Sequence, residues 1–258
     1  MTQKTNLNIS PYYDDFDKDD QFYKVLFKPG FPVQARELTT LQSILQNQLE
    51  SFGTHMFKDG SMVIPGNIAY DPDYYSIKIE REFLGVPVSL YLDQLKGKKL
   101  TSNVTGVSVV IDDYLYPEDN SQIDTLTIFV KYINSGPDNV DATMNDGESL
   151  ITDEAFVYGN TPVSAGESVL KLIDDEACFV GSSVSLAAGV YFIRGTFVEV
   201  AADKIVLNPY DNDPSYRVGL NINEQLLTAK QDESLYDNAR GFSNFAAPGA
   251  DRLKITTT

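Results

Sequence analysis

Any chemistry in this chain would fall to carboxylates, because the other usual groups are nearly absent. His55 is the single histidine and Cys178 the single cysteine among 258 residues. One histidine rules out every two-histidine zinc motif. His55 lies just past a helical pattern and reads as a hydrogen-bonded boundary residue, since a general base needs an oriented partner. Cys178 stands between Ala177 and Phe179-Val180, an apolar setting that predicts a buried, inert thiol with no cationic neighbour to activate it. With no second cysteine, no intrachain disulfide can form.

The carboxylates themselves form no constellation. Asp112-Asp113 and Asp174-Asp175-Glu176 are adjacent in sequence, and in so acidic a chain they read as solvated turns. Asp15-x-Asp17-x-Asp19 opens like an EF-hand loop, but Asp20 stands where that loop needs glycine and Leu26 where it needs glutamate. Asp71-x-Asp73 and Asp211-x-Asp213 read as Asx turns ahead of Ca²⁺ sites. Gly60 and Gly66 are hairpin glycines without the spacing of a phosphate-cradling loop, and no nucleophile elbow is present. The expectation is no catalytic residue, no metal and no cofactor.

Charge narrows the partners. A formal charge of −17 argues against nucleic acid, whose phosphates require Lys/Arg clusters; the one short basic run is Lys96 to Lys99. The same charge repels anionic membranes. No stretch approaches the roughly 20 apolar residues of a membrane span, and MTQKTNLNIS has no apolar signal core. A hydrophobic share of 42% with 22% charged residues is that of a folded globular protein.

The element that stands out is Phe31 to Gly60, the one long helical pattern. Leu38, Leu41, Leu45 and Phe52 fit a 3-4 heptad seam, with Gln48 where the next apolar residue would fall. Gly53 is placed to end the helix near Phe52. A stripe this narrow, opposite a glutamine-rich face (Gln34, Gln42, Gln46), must pack either on the chain's own sheet or on copies of itself. The balance tips slightly to a core shared between copies, with Gln48 setting register and oligomer number.

Before the helix, residues 1–30 are polar, acidic and aromatic. They read as an extended arm that docks Tyr12, Tyr13, Phe16, Phe22 and Phe27 on a neighbouring surface of this chain or another subunit. Phe22 to Phe27 alternates like a short strand. After the helix, strands are expected around a turn within Ser61 to Ile79, at Val86–Leu92, Val107–Tyr116 and Leu126–Ile133. Further ones follow at Ala155–Tyr158, Val169–Ile173, Cys178–Leu186, Val190–Val200, Lys204–Leu207 and Tyr216–Ile222. Residues 134–150 are a surface loop by composition, and Leu226 to Asn238 could hold a helical turn. The fold class is therefore mainly β with one prominent α-helix (α+β), built of small β-barrel or sandwich domains.

Gly60-x-x-x-Ile64-x-Gly66 is echoed by Gly189-x-x-x-Ile193-x-Gly195, and Tyr70 to Ile79 by Tyr210 to Val218. Two similar hairpins or a true duplication would both produce this. The implied organisation is an arm (1–30), an organising helix (31–60) and a discontinuous β-domain (61–93 and 177–237). A small inserted β-domain (94–176) carries the acidic loop. Residues 238–258 end on a strand-like stretch with no evident partner, and so read as leading into a further region.

Pro11 to Gly66, Ala187 to Leu220 and Asn238 to Ile255 resemble virion structural proteins of tailed bacteriophages, those of cyanobacteria especially, which carry a domain of unknown function. The resemblance reaches both ends of the chain, with no distinctive pattern in 94–176. It implies a tail, baseplate or fibre component without catalysis: an assembly or adaptor domain joining baseplate and fibre parts. Its partners would be other virion proteins and copies of itself, a trimer among the options, and it would be made in the host cytoplasm and reside in the virion. The alternative is a receptor-binding module that recognises a host surface through tyrosine-rich loops.

Overall fold

The computed structural model describes residues 5–137 and 143–258, and over them the chain is mainly β with one prominent helix, the α+β class expected. Residues 1–4 of the arm and 138–142 of the loop expected at 134–150 lie outside the described residues. The chain opens with α1 (Ala35–Met56), β1 (Ser61–Ile64), β2 (Ile68–Lys78), β3 (Glu82–Phe83), β4 (Val86–Pro87) and α2 (Leu92–Leu95). Next come β5 (Lys99–Ser102), β6 (Ser108–Leu115), β7 (Thr127–Asn134), β8 (Ser149–Thr152), β9 (Phe156–Tyr158), β10 (Thr161–Val163) and β11 (Ser168–Lys171). It closes with β12 (Cys178–Leu186), β13 (Gly189–Ile193), β14 (Thr196–Val200), β15 (Asp203–Asn208), β16 (Ile222–Leu227) and β17 (Arg252–Thr257).

Contacts divide the chain into two units. Unit 2, Ile68–Ser185 with Lys204–Arg217, is built on an eight-stranded sheet in the order β11-β8-β5-β6-β7-β2-β12-β15. Alternation explains its two faces. Ile77, Ile128 and Val130 point into the main core with Leu100, Val109, Ile111, Leu150 and Leu170. Tyr74 and Phe129 point the other way, stacked with centroids 4.9 Å apart. The insertion expected at 94–176 is not a separate body. Its strands β5 to β8 and β11 share one sheet with β2, β12 and β15 from outside that range, because a single core runs across all of them.

Val86–Leu92 is a second correction. Only Val86–Pro87 is extended, and a short 3-10 turn (Val88–Leu90) leads into α2. Val88, Leu92 and Leu95 are fully buried at helical spacing, which outweighs their β propensity.

Unit 1, Met1–Asn67 with Leu186–Asp203 and Val218–Thr258, holds α1, the sheet β1-β13-β14 and the ribbon β16-β17. The expected strand Val190–Val200 is a hairpin: β13 turns at Arg194-Gly195, both at positive φ, into β14 with Ile193 opposite Thr196. The glycine echo is also explained here. β1 pairs antiparallel with β13, Ser61 opposite Phe192 and Ile64 opposite Val190, so the two similar segments are neighbouring strands. The strand-like C-terminus has its partner, since β17 pairs with β16 from Arg252–Leu227 to Thr257–Ile222. Phe22–Phe27, by contrast, forms no strand, and the strand expected at Tyr216–Ile222 is regular only from Ile222, with Asn221 exchanging two backbone hydrogen bonds with Thr258 at 2.8 and 3.0 Å.

Candidate functional site

Helix α1 is set up by its own ends. The Gln34 N–H donates to Glu37 Oε2 at 2.9 Å, closing the first turn. At the other end the Phe57 N–H reaches the Gly53 carbonyl at 2.7 Å while Phe57 turns extended. The helix thus runs to Met56, four residues beyond the expected stop. Gly53 is buried in mid-helix for a different reason: a Cβ there would lie 2.5 Å from Phe192 Cε2. The absent side chain lets the helix settle onto β13, where Phe192 packs against Phe57 and Phe197 with centroids 5.9 and 5.3 Å away.

One face of α1 is therefore covered by unit 1 itself. Gln46 donates through Nε2 to the Gly195 carbonyl at 2.8 Å, Ile44 is buried, and Glu50 lies against Gly195. Beside this face Thr39, Ser43, Gln46, Arg194, Glu224 and Ile255 help line a recess of about 290 Å³. Besides Glu50, it holds the Arg194–Glu224 ion pair, with side chains 14% and 5% exposed. Burial would raise the Glu224 carboxyl, but hydrogen bonds from Arg194 and from Thr5 outweigh it and hold Glu224 below its ordinary value. Glu224 also accepts from the Thr5 N–H at 3.0 Å and the Thr5 hydroxyl at 2.9 Å. A carboxylate so committed is a strut, poorly suited to give up or collect a proton.

The opposite face of α1 is bare. Leu38, Leu45, Leu49, Phe52 and Met56 fall within roughly 60° of one another on the helix, and Leu45, Phe52 and Met56 are 58%, 65% and 64% exposed. Of the predicted seam, Leu38, Leu45 and Phe52 belong to this stripe, Leu41 is half-buried at its border and Gln48 is exposed beside it. The stripe does not cover the chain's own sheet.

The arm divides in two. Its first part is fastened to unit 1: Tyr12 donates its hydroxyl to Asp251 Oδ2 at 2.6 Å, an interaction that raises its pKa. Asp14, only 6% exposed, accepts from the Ser43 hydroxyl and from Thr40 Oγ1 at 3.2 Å. Tyr13 is exposed and Phe16 half-buried. From there to Gln34 the chain is a loop whose one regular turn is Lys18–Asp20. Asp17 caps that turn by accepting from the Asp19 N–H at 2.9 Å. Phe22 and Phe27 lie in this loop with Tyr23, Leu26, Phe31 and Val33, all exposed.

The remaining candidates are placed as follows. His55 is exposed on the last helical turn, with Nδ1 3.1 Å from the Ser51 carbonyl oxygen. Cys178 is half-buried in β12, and burial pushes its thiol up to about 11. Among the described residues no three His, Cys, Asp or Glu side chains are grouped to hold a metal, and no helix is long and apolar enough to cross a membrane. Asp14, Ser43, Arg194 and Glu224 were not singled out from sequence. Leu49 was legible as an apolar helix position but falls outside a strict heptad, and Met56 lies beyond the expected end of the helix.

A family described as "Domain of unknown function (DUF4815)" matches residues 10–94 and 116–258. No curated protein and no solved structure matches the chain.

Proposed function

The chain belongs to this family of unknown function, and from that premise we propose that it is a structural component of a phage tail or baseplate, an assembly domain that joins neighbouring virion proteins and does no catalysis. The observation that carries the proposal is the bare stripe of α1. Contiguous exposed apolar side chains on a soluble protein mark an interaction surface, and here the helix that bears them is held rigidly on its other face by Gly53, Gln46 and Asp14. A surface that must bind in one orientation gains from such a mount.

The test is a phage whose copy carries Leu45→Asp with Phe52→Asp. Particles are expected to lack the protein while it accumulates folded in the lysate. Normal incorporation of the double variant would remove the stripe from assembly. Binding of the isolated wild-type protein to host cells would instead favour receptor recognition.

A further inference from the structure

The bare stripe has a counterpart in the same chain. The loop Gln21–Gln34 exposes Phe22 (67%), Tyr23, Leu26, Phe27, Phe31 and Val33, and the structure leaves loop and stripe uncovered by one another. We propose that in the assembled protein the loop of one copy lies along the α1 stripe of a second copy. This rests on the assembly function proposed above and names one of its partners: another copy of this chain.

Charge selects that partner. The chain carries −17 overall, yet Gln21–Gln34 contains Lys24 and Lys28 and no carboxylate. It is a cationic apolar segment that the net negative charge of a second copy attracts at long range, while the stripe it would lie on carries no outward charge. The target is equally distinctive. From Leu38 to Met56 the one carboxylate is Glu50, which faces inward against Gly195. Copies that repel one another elsewhere can therefore meet here without burying like charges.

Area and reach agree. At roughly 150–250 Å² for a large side chain, the exposed fractions give about 600 Å² on the stripe and about 800 Å² on the loop. Together they fall within the ~1,200–2,000 Å² of a stable interface, whereas stripe against stripe reaches only its lower bound. The loop is rooted at Asp14 on Ser43 and at Gln34, and a segment of that length doubled back on itself can reach at most about 30 Å. The stripe from Leu38 to Met56 is about 27 Å long.

Full-length chain tests this by complementation. Wild type is expected to have at least twice its 28.6 kDa mass in solution. The loop variant Phe22→Asp/Phe27→Asp and the stripe variant Leu45→Asp/Phe52→Asp are each expected to be monomeric. Mixed in equal amounts they should form a 1:1 species, because the loop variant keeps an intact stripe and the stripe variant an intact loop. In a Cys178→Ser background, a short bismaleimide should join Phe27→Cys to Leu49→Cys only when the two are on different copies, which gives a reading that does not depend on the aspartate variants folding. A loop variant that still self-associates, or a monomeric wild type at about 100 μM, overturns the proposal. Monomeric wild type whose stripe variant is nonetheless excluded from particles would leave the assembly function standing and place a different virion protein on the stripe.

Discussion

Gly53 meets Phe192 so closely that a methyl group added to Gly53 would lie 2.5 Å from Cε2 of the ring. In an exposed helix, Gly→Ala stabilises by about 1 kcal/mol. Here the gain is opposed by overpacking against a fully buried aromatic, which costs ~1–3 kcal/mol. Gly53→Ala should therefore destabilise unit 1 in a denaturant melt, and adding Phe192→Leu should restore most of the loss. A Gly53→Ala protein more stable than wild type would mean the helix does not rest on β13.

Asp14 fastens the foot of the projecting loop to α1 through Ser43 and Thr40. Removing its carboxylate with Asp14→Ala leaves the Ser43 hydroxyl without its acceptor, while Thr40 keeps Asp15 Oδ1 at 3.1 Å, and should cost ~1–3 kcal/mol. The amides of Tyr12, Tyr13 and Asp14, which donate to Ile9 and Leu7 carbonyls at 2.9 to 3.0 Å, should then exchange with solvent about tenfold faster or more. Unchanged exchange would show that Asp14 does not hold this segment, leaving Tyr12–Asp251 and Thr5–Glu224 to do so.

Arg194 and Glu224 form the buried pair of unit 1. Arg194→Ala leaves Glu224 buried without its cation and should cost ~3–5 kcal/mol. Because the Glu224 carboxyl is held below its ordinary 4.5, its contribution is present above pH 4.5 and is lost as pH falls through the lower folded value. Glu224→Gln should therefore be less stable at pH 7 and show a shallower decline below pH 4.5. Parallel acid limbs for the two proteins would assign that decline to other carboxylates.

The Cys178 thiol, raised from 9.0 to about 11 chiefly by burial, should react slowly. At pH 8 that rise leaves about a hundredth of the thiolate an ordinary cysteine would carry, so iodoacetamide should label native protein at least that much more slowly than unfolded protein. A raised value favours the neutral thiol, so its stabilisation holds below pH 9 and fades as pH rises through 11. Fast labelling at pH 8 would mean β12 opens readily.

What was legible in the sequence was what repeats locally. The alternation of Cys178–Leu186 and Lys204–Leu207 marked strands, and the spacing of Leu38, Leu45 and Phe52 marked a helix. Gly53 misled because a glycine that ends a helix and one that admits a ring look alike in a single sequence. The stripe was partly misdrawn because a 3.5-residue seam includes Leu41 and Gln48, while a straight helix at 3.6 residues per turn aligns Leu49 and Met56 instead. The site's polar fastenings had no local signal at all. Thr5 and Glu224 are 219 positions apart, and Tyr12 and Asp251 are 239 apart.

Those long separations have a consequence in the order of synthesis. Every residue of unit 2 exists once Arg217 has been made, whereas unit 1 needs the stretch from Val218 onward. Helix α1 and its loop precede unit 2 along the chain, yet Glu224 and Asp251, which hold Thr5 and Tyr12 of the arm, follow it. On the ribosome the arm's long-range hydrogen bonds therefore wait for the ribbon β16–β17. Until Glu224 and Asp251 have emerged, the arm is held to α1 through Asp14, so the ribbon closes a clasp on residues made more than two hundred positions earlier.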